Sequence, residues 1–110
     1  MPIPQIEPFV LAAQLAAPPE ARPVLLDVRF DEEYAHVALP GAVLIPLPEL
    51  PERAEELEPF RGRPIVVYCH HGVRSLDGAA FLLARGMNAV SLRGGIDLYA
   101  RTVDPSLPRY

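Results

Sequence analysis

The segment after the apolar run at residues 64–69 carries the residue types from which sulfur chemistry can be built. Cys69, the one cysteine of the chain, closes this run, and "HHGVR" follows before an amphipathic segment begins near Ser75. A cysteine in this setting is either a small buried hydrophobic residue or a nucleophile. Gly72 favours a curled loop, because glycine adopts backbone angles that a Cβ would forbid.

A curled loop would turn successive backbone N–H groups towards the Cys69 sulfur. Such a nest binds anions, and the positive end of the helix that follows strengthens it. Helix N-termini and neighbouring cations favour the thiolate of a cysteine, which is its nucleophilic form. The same donors would hold a persulfide, Cys69–S–S⁻. Arg74, and His70 or His71 when protonated, would add positive charge for an oxyanion donor such as thiosulfate.

The residues beside Cys69 leave several alternatives open. Because adjacent side chains in a curled loop diverge, we expect at most one of His70 and His71 to face the sulfur, and either could serve partner recognition. Arg74 is either a substrate-binding cation or a solvated charge. A metal site built from Cys69 and the two histidines is not expected, since neighbouring residues rarely converge on one ion and there is no second cysteine.

The spacing between Cys69 and Arg74 separates sulfur chemistry from phosphate chemistry. Cysteine-dependent phosphatases resemble one another in having five residues between the cysteine and the arginine, whereas four lie between them here. Ser75 stands where that arginine would fall. The shorter loop encloses a smaller cradle, which favours a single sulfur over a tetrahedral phosphoryl group. A phosphatase or arsenate reductase is therefore the less favoured alternative.

Short apolar segments alternate with helical ones, which is typical of an α/β fold around a mostly parallel sheet. We expect strands within residues 23–29, 42–45, 64–69 and 88–95, and helices within residues 6–17, 74–87 and 96–103. The first helix is predicted to have one apolar face and the helix after Cys69 another, formed respectively by Phe9, Val10, Ala13 and Ala17 and by Leu76, Ala80 and Leu83. Ligands of such folds bind at the carboxyl ends of the strands, where Cys69 falls.

Four segments resemble the rhodanese superfamily in their order and spacing: "LLDVRFDEEY", "LPGAVLIPL", "VVYCHHGVRS" and "LRGGIDLY". The resemblance implies a rhodanese-like three-layer α/β fold, with a central, mostly parallel sheet flanked by helices, and a single domain over residues 1–110. It also implies a sulfurtransferase. In this activity a catalytic cysteine takes sulfane sulfur from thiosulfate or a protein persulfide and passes it to a thiophilic acceptor.

Carried over by position, the resemblance assigns a role to each residue around the cysteine loop. Cys69 is the catalytic residue that forms the persulfide, and Ser75 begins the helix that follows. The substrate- and persulfide-binding loop is formed by His70, His71, Gly72, Val73 and Arg74. Asp27 and Arg29 match the "D-x-R" at the end of an early strand, and we expect them to make structural polar contacts near the site. The reaction implies no metal and no organic cofactor.

Composition limits the partners and the compartment. The chain has 110 residues, half of them apolar and 22% charged, which is the balance of a globular protein. A net charge of −4 and ten thinly spread basic residues argue against a nucleic-acid surface. No apolar run approaches the roughly 20 residues that cross a bilayer, so we expect no membrane partner. With one cysteine and no recognisable signal peptide, we expect a cytoplasmic protein with a reduced thiol.

Two kinds of sulfur-transfer protein fit these observations. One is an autonomous enzyme that uses a small donor such as thiosulfate. The other is a sulfur-relay or docking module, for which a persulfide-carrying or sulfur-accepting protein supplies the partner chemistry.

Overall fold

The expected α/β architecture is confirmed by a computed structural model, which describes residues 2–110. The strands are β1 Gln5–Ile6, β2 Val24–Asp27, β3 Val43–Leu44, β4 Ile65–Tyr68 and β5 Ala89–Leu92. The helices are α1 Pro8–Leu15, α2 Asp31–His36, α3 Leu50–Arg53, α4 Arg74–Ala84 and α5 Gly95–Thr102. All strand pairs are parallel, and the strands lie in the order β1, β5, β4, β2, β3. No helix among residues 2–110 combines the length and apolar character that a bilayer span requires.

The central strands β2 and β4 are buried along their whole length, because helices cover both faces of the sheet. Their alternate side chains enter two separate cores. Leu26 and Val67 pack with residues of α4 on one face. Leu25 and Val66 pack with residues of α1 and α5 on the other face. This alternation follows from the two-residue period of a strand and produces the three layers.

The carboxyl ends of β2 and β4 lie side by side. Asp27 pairs in register with Tyr68, so the residues that follow each strand emerge at the same edge of the sheet. The Val28 N–H donates to the Tyr68 carbonyl over 3.1 Å and extends this pairing by one residue. The sheet thus brings Arg29 and Cys69 to one edge, although they are far apart in the sequence.

The predicted apolar face of the first helix is wrong. Phe9 and Val10 are 69% and 38% exposed, whereas Pro8 and Leu11 are buried. Leu11 packs into the core that also contains Ile96 of α5. The docking of α1 on α5 therefore decides which side of this short helix is buried, and the spacing of apolar residues does not.

The predicted face of α4 is also wrong, by about one position. Its buried residues are Ser75, Gly78, Ala79 and Leu82. Gly78 faces the sheet closely, since an added Cβ would lie 3.0 Å from a Val67 methyl group. The buried Ser75 fixes the rotation of α4, because its hydroxyl forms a hydrogen bond with the Ser91 hydroxyl inside the protein.

Strand β1 was not predicted from the sequence. It has only two residues, and it forms by pairing with β5.

Asp27 and Arg29 form a fully buried ion pair at the end of β2. Arg29 Nη2 lies 2.7 Å from Asp27 Oδ2, and Arg29 Nε donates to both carboxylate oxygens over 2.9 and 3.1 Å. The same Nη2 donates to the Val37 carbonyl over 2.6 Å. The pair therefore ties the end of β2 to the chain that leaves α2. Burying two charges is tolerable here because several hydrogen bonds satisfy them.

Removing one partner of this pair should destabilise the fold strongly. We expect Arg29→Met to lower the free energy of unfolding by about 3–5 kcal/mol, because it leaves the Asp27 carboxylate buried without its partner. Urea denaturation followed by circular dichroism measures the change. Arg53→Met is the matched control, since Arg53 pairs with Glu49 and Glu56 at the surface, and it should leave the midpoint almost unchanged. Equal losses in the two variants would contradict a structural role for the buried pair.

Candidate active site

The cysteine loop, residues 69–73, joins β4 to α4 and curls around the Cys69 sulfur. Cys69 is buried, and Gly72 adopts a left-handed conformation with φ +89°. The Gly72 N–H donates to Cys69 Sγ over 3.1 Å, and the Ser75 N–H donates to it over 3.3 Å. An added Cβ at Gly72 would lie 2.9 Å from the Gly94 nitrogen, so space also requires glycine. The loop thus directs two amide donors at the sulfur, next to the positive end of α4.

Two buried serine hydroxyls extend the polar surroundings of the sulfur. Ser75 Oγ lies 3.4 Å from Cys69 Sγ and 2.7 Å from Ser91 Oγ. When the sulfur is negatively charged, the Ser75 hydroxyl can donate to it while accepting from the Ser91 hydroxyl. Ser91 was not among the site residues predicted from the sequence. Its signal was a single polar residue inside the apolar strand "AVSL" of β5.

The first turn of α5 fixes which way the peptide groups of the cysteine loop point. The Ile96 N–H donates to the Cys69 carbonyl over 2.9 Å, and the Asp97 N–H donates to the His70 carbonyl over 3.0 Å. Because these carbonyls face α5, the loop can turn its later N–H groups to the opposite side, towards the sulfur. Gly95 permits this approach, since an added Cβ would collide with the His70 and Cys69 carbonyls. The sequence segment "LRGGIDLY" contains this glycine, but the sequence alone predicts no role for it.

Arg29 and Asp27 lie beside the cysteine loop and make no hydrogen bond to the sulfur. Arg29 Nη1 donates to the Tyr110 hydroxyl over 2.7 Å. The Tyr110 ring stacks on the His70 ring, with 3.9 Å between centroids and an interplanar angle of 10°. The ion pair therefore reaches the loop through Tyr110, which sequence analysis did not consider.

The two histidines stack on each other and do not diverge as expected. Their ring centroids are 3.9 Å apart with an interplanar angle of 24°. Tyr110 covers the other face of His70, while His71 Nε2 lies 4.0 Å from an Asp97 oxygen. His70 Nε2 is buried and has no hydrogen-bond partner. Burial, reinforced by His71, lowers the pKa of His70 below its usual value, which favours its neutral form.

Arg74 pairs with a carboxylate that sequence analysis did not select. Its Nη1 and Nη2 donate to the two Glu33 oxygens over 2.8 and 3.0 Å. The guanidinium is therefore paired with a carboxylate, and it is not the free solvated charge that was one of the two alternatives. It also lies 5.8 Å from the centre of the half-exposed Phe30 ring. Val73, the remaining loop residue, is 70% exposed at the rim of the loop.

His70, His71 and Asp97 bring three potential metal ligands within 4.8 Å of one another. Asp97 is already engaged, however, because Arg101 Nε and Arg109 Nε lie 3.1 and 3.2 Å from its oxygens. A divalent cation bound there would face two guanidinium groups. The cluster is therefore better described as the polar support of the cysteine loop than as a metal centre.

Comparison with known proteins gives one consistent family. Residues 11–102 match the model of the rhodanese-like domain. The chain is 37% identical over 79 residues to a protein of Allochromatium vinosum named sulfurtransferase, covering 71% of this chain and 72% of that protein. It is 33% identical over 96 residues to a putative sulfurtransferase of Bacillus subtilis, covering 87% and 89% of the two chains. A rhodanese-like domain protein from Staphylococcus aureus superposes with a TM-score of 0.79 at 30% identity, covering 98% and 99%.

The contact between α5 and the cysteine loop can be tested with a pair of glycine variants. Gly95 and Gly62 both have positive φ, but an added Cβ at Gly62 would meet nothing within 4 Å. We expect Gly62→Ala to cost about 1–2 kcal/mol of stability from backbone strain alone. Gly95→Ala should cost about 1–3 kcal/mol more, because the loop carbonyls must move.

The same pair separates a local from a global effect. The rate of Cys69 alkylation by iodoacetamide should change in Gly95→Ala and stay at the unsubstituted value in Gly62→Ala. Identical stability losses and alkylation rates in the two variants would show that α5 does not shape the cysteine loop.

Proposed function

Because this chain belongs to the family of rhodanese-like domains, we propose that it is a sulfurtransferase that carries sulfane sulfur on Cys69 as a persulfide. The observation that carries the proposal is the convergence of the Gly72 and Ser75 amides on Cys69 Sγ, at 3.1 and 3.3 Å. Two amide donors and a helix N-terminus stabilise negative charge at this one atom. The relatives from Allochromatium vinosum and Bacillus subtilis are named sulfurtransferase and putative sulfurtransferase, which supports the same class of reaction.

In the first step the Cys69 thiolate attacks the outer sulfur of the donor. A new S–S bond forms between Cys69 and the outer sulfur, and the S–S bond within the donor breaks. The leaving group departs with the electron pair, as sulfite from thiosulfate or as a thiolate from a protein persulfide. The total charge is conserved with either donor, so this step needs no further reagent.

In the second step a thiophilic acceptor attacks the terminal sulfur of the persulfide. The bond to Cys69 breaks, and the thiolate is regenerated for another cycle. The reaction is therefore a two-step exchange through a covalent intermediate. Both steps balance with donor and acceptor alone.

The backbone supplies most of the stabilisation for the Cys69 thiolate in this proposal. The side-chain cations beside the loop are committed elsewhere, since Arg74 pairs with Glu33 and Arg29 pairs with Asp27. The amides and the Ser75 hydroxyl are already in place around Cys69 Sγ, so they need little reorganisation when the thiolate attacks the donor or is regenerated as the leaving group.

This arrangement supports sulfur transfer over phosphoryl transfer. A cysteine-dependent phosphatase needs an arginine that clamps the phosphoryl oxygens, and Arg74 uses both of its Nη atoms on Glu33. A sulfur-relay role with a protein partner is the second candidate. It is favoured by the exposed apolar side chains of Val73 and Phe30, which flank Arg74 near the loop.

Serine substitutions test the proposed site. In an assay with thiosulfate as donor and cyanide as acceptor, Cys69→Ser should abolish thiocyanate formation, because an oxygen cannot carry the persulfide. Ser75→Ala should lower kcat/KM by about tenfold or more, since a hydrogen bond to a charged group is worth roughly 1.5–3 kcal/mol. Ser106→Ala is the matched control, because Ser106 is exposed and bonds to Asp104 outside the loop. Full activity in Cys69→Ser would refute the proposed function.

A further inference from the structure

Arg74, the first residue of α4 after the cysteine loop, is a cation whose charge is paired with a carboxylate. Both Nη atoms of Arg74 donate to Glu33, in a bidentate pair at 2.8 and 3.0 Å. These hydrogen bonds to Glu33 raise the pKa of Arg74, and Cys69 adds to the shift. Arg74 directly precedes Ser75, whose N–H donates to the Cys69 sulfur over 3.3 Å. Its charge therefore lies beside the cysteine loop, while the Glu33 carboxylate offsets it.

Glu33 is held in this position from three sides. Besides the two bonds from Arg74, its Oε1 accepts from the Phe30 N–H over 3.0 Å, and its Oε2 accepts from the Tyr110 hydroxyl over 2.8 Å. The bonds from Arg74 lower the pKa of Glu33 to about 2, so the carboxylate is charged at physiological pH. A side chain bonded this way cannot easily turn aside when a substrate anion approaches Arg74.

Tyr110 links Glu33 to the buried ion pair of β2. Its hydroxyl accepts from Arg29 Nη1 over 2.7 Å while donating to Glu33. Its ring lies flat against His70 in the cysteine loop. Arg29 is fully buried and bonded to Asp27, so it anchors the Tyr110 hydroxyl to the end of β2. The position of Glu33 is thus set by a rigid part of the fold.

From this arrangement we infer that Glu33, positioned by Tyr110, determines which charge of sulfur donor the site accepts. Because Glu33 compensates the charge of Arg74, the donor anion is bound mainly by backbone dipoles and serine hydroxyls. Such a site favours sulfane donors with one negative charge over donors with two, because the second charge meets the Glu33 carboxylate. This inference rests on the proposed sulfur-transfer function and specifies its substrate class.

Two donors that differ by one charge provide the test. Thiosulfate is a dianion, whereas methanethiosulfonate is a monoanion that transfers the same outer sulfur and releases methanesulfinate. Glu33→Gln keeps the size of the side chain but leaves Arg74 uncompensated. We expect it to lower the KM for thiosulfate by about fivefold and the KM for methanethiosulfonate by roughly half that factor. The thiosulfate effect should shrink as salt is added, because screening weakens exposed charges.

Two further variants make the experiment specific. Tyr110→Phe keeps the ring on His70 but removes the hydroxyl that holds Glu33, so it should shift the ratio of the two KM values in the same direction and by less. Glu58→Gln is the matched control. It makes the same change in net charge at an exposed pair with Arg61, and it should leave the ratio unchanged.

The possible results distinguish a failure of this inference from a failure of the proposed sulfur-transfer function. A KM ratio that is the same in Glu33→Gln, Tyr110→Phe and the unsubstituted protein, with normal turnover, would overturn the inference alone. A ratio that changes equally in Glu58→Gln would also overturn it, since net charge would then be the cause. Failure of the unsubstituted protein to take sulfur from either small donor and from a persulfidated protein would overturn the proposed function, and the inference with it.

Discussion

Two hydrogen bonds between α5 and the cysteine loop set the geometry on which the site depends. The Ile96 and Asp97 amides draw the carbonyls of Cys69 and His70 to one side. With those carbonyls occupied, the loop can present the Gly72 and Ser75 amides to the sulfur. Every buried peptide group needs a partner, so this division of carbonyls and amides is a requirement of folding as well as of chemistry. The first turn of α5 thus shapes the cysteine loop, which leads into α4.

The electrostatics of the site divide between the backbone, whose dipoles face the sulfur, and the charged side chains, which pair with one another. Around the sulfur the positive potential comes from peptide dipoles at the start of α4, which are fixed and nearly neutral in total. The full charges nearby are paired: Arg29 with Asp27 in the interior, and Arg74 with Glu33 at the rim. A surface cation would attract any anion, whereas oriented amides act over a short range. The site can therefore stabilise charge on one sulfur atom without collecting anions from solution.

The sequence predicts those parts of the molecule that depend on neighbouring residues. The buried runs of β2 and β4, the left-handed Gly72 and the helix after the cysteine all follow from local patterns. The positions of Ser91, Glu33 and Tyr110 do not, because each lies at least 16 residues from its partner in the chain. The predictions of the buried sides of α1 and α4 were wrong for the same reason. Both helices are oriented by what they pack against, and in α4 the decisive contact is a serine that a hydrophobic pattern treats as solvent-facing.

Intact mass spectrometry of the protein after exposure to a sulfane donor is the most direct test of a persulfide on Cys69. If Cys69 carries a persulfide, the chain should gain the mass of one sulfur atom, reductant should remove it, and Cys69→Ala should never acquire it. Thiosulfate, methanethiosulfonate and a persulfidated protein should be tried in parallel, so that donor preference does not hide the intermediate. An unchanged mass with all three donors, or the same gain in Cys69→Ala, would contradict a persulfide on Cys69.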